Sequence, residues 1–451
     1  RTLAEQYEAA GAQGGVAAAQ LAQHWRQAGE PLRALRYLAL AGEEALRGGA
    51  YGEAIALLGE ALAITRRSEP SSLAAAGADE RSLARWQRQL GEANHGLGRL
   101  SESRALLETA VARLGQPVPR APLQLIGALA GESLRQARSL VRPGARGEPG
   151  PGPHDDLARA YTLLARLAYY DGEFAAAAHA ALRGLNLAER GAPAPELAWS
   201  YAAVQLAASP VPPLAKLYRR RARAAADRLG HLPTHGWLAE AHGLYELGHG
   251  RWRRAEAALD LALAVGDRLG DQRRRAEAIA ARCVAACYQG QFRRALVGCE
   301  ELQTLGLRSG DRQVQAWGLI GAAENLLALG ESAAAQELLG DAEALLDGAR
   351  AEQLWLLALR ARAALLRGDN PQAQRSADAA AAFIGPLPPL AVYTLGGHAA
   401  LAEVRLALLA QHAPGDGRGI RQQRAAVRRA CASLSRFALM FPVARPAALT
   451  W

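Results

Sequence analysis

Gly250-Arg251-Trp252-Arg253-Arg254-Ala255, Gly290-Gln291-Phe292-Arg293-Arg294-Ala295 and Gly330-Glu331-Ser332-Ala333-Ala334-Ala335 are one pattern written three times at a step of 40 residues. Twelve residues after each glycine stands Ala262, Leu302 or Ala342. Self-similarity at a fixed period of about 20–50 residues marks a stacked repeat architecture. Each unit reads as two helices joined at the glycine. The glycine supplies the left-handed stop that a residue with a Cβ adopts only at a cost. Small residues seven apart on the second helix let it approach the first closely, and the aromatic, where present, plugs the turn.

The same register extends outward in both directions. Toward the N-terminus the first appearance is Gly49, Tyr51, Ala54 and Ala61, with Ala41 and Gly42 in the preceding helix. The second has Leu90, Gly91, Gly98, Leu100, Ser103 and Ala110, and the third Leu164, Ala165, Gly172, Phe174, Ala177 and Gly184. A degenerate unit at about 196–229 has Pro210 in its turn and Ala215 and Ala222 seven apart. The last clear unit has Gly368, Asn370, Ala373 and Ala380. Turn positions 172, 210, 250, 290, 330 and 368 are 38 or 40 apart.

This spacing resembles the tetratricopeptide repeat, W-x2-L-G-x2-Y followed by A-x3-F and then P. The terminal proline is mostly missing, and the period exceeds the usual 34 or so, so helices or loops are longer than in the minimal unit. The resemblance implies an all-α fold, a tetratricopeptide-like α-solenoid of antiparallel helix pairs forming a right-handed superhelix. The run 142–153, from Arg142-Pro143-Gly144 to Pro153, is too rich in Pro and Gly for helix and reads as a linker. It separates an N-terminal helical block, 1–141, from a C-terminal solenoid, 154–451. Within the first block 67–80 is a polar loop and 122–141 a helix. After Gly385-Pro386-Leu387-Pro388-Pro389 come helices at about 391–411 and 420–439 around a polar loop at 413–419, as a capping hairpin or a further unit.

Composition agrees with helices packed through small side chains. Half of the 451 residues are apolar and only 5% are aromatic. The net charge is +10, but Lys216 is the only lysine, which points to coding bias toward arginine. Many arginines stand beside Glu or Asp at helical spacing. Arg219–Arg221 and Arg273–Arg275 read as solvated helix faces or termini in preference to phosphate-binding patches, and no nucleic-acid partner is expected. Cys283, Cys287, Cys299 and Cys431 have no disulfide spacing and read as small hydrophobes in a reducing compartment. No apolar run approaches the roughly 18 residues of a membrane span, so a cytoplasmic protein with no membrane partner is expected. The missing initiator Met leads us to expect a fragment of a longer protein.

Motifs that carry chemistry are absent. The lone lysine has no glycine loop before it, which excludes a P-loop, a kinase-type lysine and a pyridoxal-phosphate lysine in these residues. His231 and His235 flank Pro233, and with His242 and His249 they offer no converging ligand set, so no metal is expected. Asp155–Asp156 and the Gly-Asp pairs at 266–267, 270–271 and 310–311 fall near helix starts and read as caps and not as catalytic groups. No cofactor and no catalytic residue is predicted.

One constellation stands out. Trp237, Trp317 and Trp355 each lie 13 residues before a turn glycine, where Glu277, Leu197 and Arg159 occupy the other units. In tetratricopeptide proteins this part of the first helix lines the concave face. Trp237, Glu240, Trp317, Ile320, Trp355 and Arg362 are accordingly the candidate partner-binding residues, since large rigid aromatics anchor recognition. The same spacing also fits tryptophans packed against a neighbouring repeat, and both placements stay open.

A closer resemblance lies in Leu21-Ala22-Gln23-His24-Trp25-Arg26-Gln27-Ala28-Gly29-Glu30-Pro31, followed by Ala34, Tyr37-Leu38, Ala41-Gly42, Ala45-Leu46 and Ala54-Ile55. Leu185-Asn186-Leu187-Ala188-Glu189-Arg190, Val314-Gln315-Ala316-Trp317-Gly318 and Phe437-Ala438-Leu439-Met440-Phe441-Pro442 add to it. Together they resemble the repeat region of bacterial multidomain signalling ATPases, in which a class III cyclase or Ser/Thr kinase domain precedes an AAA or STAND ATPase module. The resemblance implies a non-catalytic interaction and regulatory scaffold. Its partner would be a protein or peptide, its own ATPase module included. A second reading is the inducer-sensing repeat region of a STAND-type transcription regulator. A helix-turn-helix beyond Trp451 would favour that one, and a cyclase domain before Arg1 the first. An enzyme in its own right finds no nucleophile–base pair in this sequence.

Overall fold

The computed structural model describes residues 2, 5, 15–141, 154–191, 194–346, 348–385, 387–411 and 417–451. Among them are 22 α-helices, two 3-10 turns and no strand. The chain is an all-α solenoid of consecutive helix pairs. It forms two compact units, one of residues 1–164 with 186–192, the other of 165–185 with 193–451. This division falls inside two helices, whereas the Pro/Gly run 142–153 that reads as the linker lies outside the described residues.

The first unit contains α1 (Gly15–Gln27), α2 (Pro31–Arg47), α3 (Tyr51–Arg67), the short α4 (Pro70–Ala75), α5 (Glu80–Gly96), α6 (Leu100–Arg113) and α7 (Pro122–Val141). Helices α8 (His154–Tyr170) and α9 (Phe174–Ala188) are shared between the units. Pro31 and Pro70 stand in first turns, where the missing N–H costs nothing. Asp79 caps α5 by accepting from the Ser82 amide at 2.8 Å. Trp25, Leu35, Leu38, Leu58 and Leu83 form the core of this unit.

The second unit continues with α10 (Pro195–Ala207), α11 (Pro212–Leu229), α12 (Leu232–Gly248), α13 (Trp252–Leu269), α14 (Gln272–Tyr288), α15 (Phe292–Ser309), α16 (Arg312–Ala328), α17 (Ser332–Glu343), α18 (Arg350–Leu366), α19 (Asn370–Ala381), α20 (Leu395–Ala410), α21 (Gly417–Met440) and α22 (Arg445–Thr450). The 3-10 turns are Val392–Thr394 and Pro442–Ala444. Each even-numbered helix from α10 to α20 pairs with the next, and the even-numbered helices from α10 to α18 also touch one another in succession. No comparable approach joins the odd-numbered ones, so the even-numbered helices make the inner face.

The repeat residues do in space what their spacing requires. Gly250, Gly290, Gly330 and Gly368 have φ between 67° and 89°. At the first of these turns the Arg251 amide reaches back to the Glu246 carbonyl at 2.9 Å, closing the helix end. Ala255, Ala295, Ala335 and Ala373 are all at most 1% exposed. A Cβ on Gly243 would stand 2.6 Å from Leu259, so the small residue of the first helix receives a leucine of the second. The aromatic two after the turn does more than plug its own unit. A Cβ on Gly96 would meet the Tyr51 ring at 2.7 Å, so Tyr51 seats on the first helix of the following pair.

Candidate functional site

The inner face of the second unit carries a continuous polar and aromatic network, and it begins with arginines. Arg166 of α8 donates to Glu240 on α12 at 2.8 Å and to Glu277 on α14 at 2.7 Å. Its guanidinium lies 4.3 Å from the centre of the Trp237 ring. Arg273 of α14 donates to Glu277 at 2.9 Å, to Asp311 at 2.6 Å and to Gln313 at 2.6 Å, and stacks on Trp317 at 4.8 Å. Arg273 is thus buried in a full set of acceptors. The reading of Arg273–Arg275 as a solvated face is corrected here: the next repeat brings Asp311 and Gln313 over Arg273 and takes it out of water. Arg274 is likewise withdrawn, with Glu240 at 3.4 Å and Asp271 at 3.5 Å.

Further along, two helices exchange indole hydrogen bonds. Trp317 on α16 donates to Glu352 on α18 at 2.9 Å, and Trp355 on α18 donates to Glu324 on α16 at 2.6 Å. Gln313 and Tyr393 also donate to the same Glu352 oxygen, at 3.0 and 3.1 Å. The other oxygen, Oε2, is buried and has no partner. Burial raises both carboxyls to about 7, against the lowering effect of these donors. Glu240 is also raised to about 7, by burial first and then by the charge of Glu277.

An element of the chain itself lies across this face. The connection between α19 and α20, which carries Pro388 and Pro389, passes inward to the turn Val392–Thr394. That turn touches both α12 and α18, which are three helix pairs apart in sequence. Tyr288 donates to the Val392 carbonyl at 2.7 Å. The Tyr393 ring lies 5.7 Å from Trp355 and 6.2 Å from Tyr169. Two glycines allow this approach. A Cβ on Gly397 would meet the Trp355 Cα at 2.9 Å, and one on Gly396 would overlap the Glu324 carboxylate. Phe441 enters the same face farther along, against Gly248.

The sequence-derived candidates fall into this arrangement unevenly. Trp317, Ile320 and Trp355 are buried at 7%, 0% and 4% exposure, and Glu240 at 5%. In this structure they are covered, the tryptophans by neighbouring helices and by Tyr393. Trp237 is half-buried beside Arg166, and its indole N–H has no partner. Arg362 is half-buried and pairs with Glu403 of α20 at 3.0 Å. Sequence reasoning missed Glu324, Glu352, Tyr288 and Tyr393. Glu352 stands three residues before Trp355, one turn away, so a search for carboxylates in reach of a neighbouring repeat's tryptophan would have found it.

His231, His235, His242 and His249 do not converge. Pro233 sits in the first turn of α12, and His242 faces Arg219 at 3.2 Å. Among the described residues no group of three His, Cys, Asp or Glu is placed to hold a metal ion, and no helix is long and apolar enough to cross a membrane. Asp271 and Asp311 accept from the amides of Arg274 and Val314, each at 3.0 Å, as helix caps, and Asp155 and Asp156 stand in the first turn of α8. Asp267 does not cap a helix start, because α13 runs on through it to Leu269. No family model matches the chain, and no curated protein is similar to it.

Proposed function

We propose that this chain is a non-catalytic protein-interaction and regulatory scaffold whose inner face takes an extended peptide segment. We place it in a larger cytoplasmic signalling protein, a cyclase- or kinase-linked ATPase, on the resemblance of its repeats. The observation that supports the docking role is the way residues 390–394 lie on the inner face. A main-chain carbonyl is held by Tyr288, and a tyrosyl hydroxyl by the buried Glu352. The aromatic ring packs at an incline against Trp355, 5.7 Å between ring centres. Main-chain capture combined with a side-chain pocket is how extended peptides are recognised generally. Glu352 Oε2, buried and unpaired, is an acceptor in reserve.

The test uses a labelled synthetic peptide with the sequence of residues 387–395, titrated against the full chain carrying Tyr393→Ala. Saturable binding that is weakened by adding Tyr288→Phe and Glu352→Gln supports the reading. A folded Tyr393→Ala chain that ignores the peptide sinks it. The non-catalytic part has its own check, since the purified chain should turn over neither ATP nor GTP.

A further inference from the structure

The net charge of +10 is not spread along the chain. Residues 417–451 contain seven arginines and no Asp or Glu. The 416 residues before them hold the other 46 basic residues and all 43 acidic ones, and are close to neutral. One other helix shows a local excess, α11 with Lys216 and five arginines against Asp227 alone, but no other stretch as long as 417–451 is without any acid.

Helix α21 orders these arginines. Its apolar face, Ala430, Leu434, Phe437 and Met440, is buried in the core of the second unit. The opposite face carries Arg421, Arg424, Arg428, Ala432, Ser435 and Leu439, at steps of three and four residues that keep them in one line along a helix. All six are exposed, Leu439 at 74%. The line is about 27 Å long at about 1.5 Å per residue. Arg429 flanks it and is exposed as well. None of Arg421, Arg424, Arg428 and Arg429 makes an ion pair among the described residues. Elsewhere in this unit Arg166, Arg273, Arg274, Arg362 and Arg405, all buried or half-buried, make ion pairs.

We propose that this face of α21 is a docking surface for an acidic amphipathic helix of a partner protein. Three arginines at one end would meet carboxylates spaced at the same three- and four-residue steps. Ala432 and Ser435 would let the partner's backbone come close, and Leu439 would meet an apolar side chain. Charge complementarity names the sign of the partner. The straight stripe, with small residues at its middle and an aliphatic at its end, names its shape. Two other anionic partners fit less well. A helix lying in a membrane surface inserts its apolar face, and that of α21 is already spent on the core. Single-stranded nucleic acid is held by aromatic stacking platforms beside the cations, and the stripe contains no aromatic residue.

This proposal is independent of the inner-face reading. The experiment uses the full chain and three probes by fluorescence anisotropy or sedimentation. They are a helical peptide of about 20 residues with Glu at i, i+4 and i+7 and a leucine beyond, a short duplex DNA, and vesicles of phosphatidylserine and phosphatidylcholine. Binding should be tightest for the peptide. It should weaken at least about tenfold between about 0.05 and 0.3 M salt, and at least about tenfold again in Arg421→Glu/Arg424→Glu/Arg428→Glu. Leu439→Ala should weaken it by a smaller factor without altering the salt slope. Tighter binding to DNA or vesicles at matched salt would overturn the proposal, as would indifference of peptide binding to the triple substitution. Loss of helical content in the triple variant would overturn it too, since it would show that the row works inside the fold.

Discussion

Trp355 donates its indole N–H to Glu324 across neighbouring helix pairs at 2.6 Å, while Trp317 and Glu352 make the reverse exchange between the same two helices at 2.9 Å. Each tryptophan therefore satisfies a carboxylate on the other's helix. Buried polar groups are tolerable when paired and costly when orphaned. These two bonds tie α16 and α18 into one body.

Removing a tryptophan from this exchange should cost stability first. Trp355→Phe keeps most of the apolar bulk but leaves Glu324 without its closest donor, at about 1–3 kcal/mol. Trp317→Ala adds a cavity and should cost about 3–5 kcal/mol. Trp237→Ala, at a half-buried site whose main contact is the Arg166 guanidinium, should cost about 1 kcal/mol. Urea denaturation with an unchanged m-value would measure all three. Equal costs at Trp237 and Trp317 would contradict the difference in burial.

The raised carboxyls give stability a pH dependence opposite to that of ordinary salt-bridged acids. Glu324 and Glu352 are raised by burial to about 7 when folded, against the ordinary glutamate value of 4.5 that holds when unfolded. Between these values the folded chain binds more protons than the unfolded one, so their contribution falls as pH rises from about 4.5 to about 7, then stays flat. The slope is on the order of 1.4 kcal/mol per pH unit for each group within that window. Glu324→Gln and Glu352→Gln should each flatten it. Thermal midpoints measured from pH 4.5 to 8 decide the matter, and a wild-type midpoint that rises through this range speaks against these shifts.

Much of the fold was legible because glycine and alanine are constrained at single positions. A turn that needs positive φ writes Gly250, Gly290, Gly330 and Gly368 into the sequence, and a close helix crossing writes Ala255, Ala295 and Ala335. The tryptophan register was legible too, as a height along each first helix. What covers the indoles was not legible, because residues 391–394, which read from the sequence as the start of the helix at about 391–411, instead form a turn ahead of α20. Pro388 and Pro389 signal an extended chain and carry no sign that the next five residues cross an inner face. Arg273 shows the same limit. Its neighbours in sequence are arginines, and only the next repeat supplies the Asp311 that withdraws it from water.

Arg273 should be intolerant of truncation. It holds Glu277 and Asp311 within hydrogen-bonding distance from a buried position. Arg273→Met would leave two carboxylates buried with less compensation, a change worth about 3–5 kcal/mol. Arg273→Lys keeps the charge and loses the planar fork that spans both acids and Gln313, so a smaller loss of about 1–3 kcal/mol is expected. Asp311→Asn in the Arg273→Met background should recover part of the loss. Additive effects of the two substitutions would mean that they do not act on one network.

The glycines that admit residues 390–394 to the inner face offer the last test. At Gly397 a Cβ would stand 2.9 Å from the Cα of Trp355, which is backbone and cannot rotate aside. At Gly396 the obstacle is the Glu324 side chain, which is longer and more adaptable. Gly397→Ala should therefore push the start of α20 off Trp355, at about 1–3 kcal/mol. It should also loosen the Tyr288–Val392 and Tyr393–Glu352 bonds. Hydrogen exchange is the direct measurement. Amides of residues 391–394 should exchange faster in Gly397→Ala, while those in the middle of α16, which this strain does not reach, should keep their protection. Gly396→Ala should show a weaker form of the same effect. Faster exchange spread evenly over α16, α18 and the 391–394 segment would mean that the segment is inseparable from the core, and the idea of a displaceable occupant on the inner face would then fail.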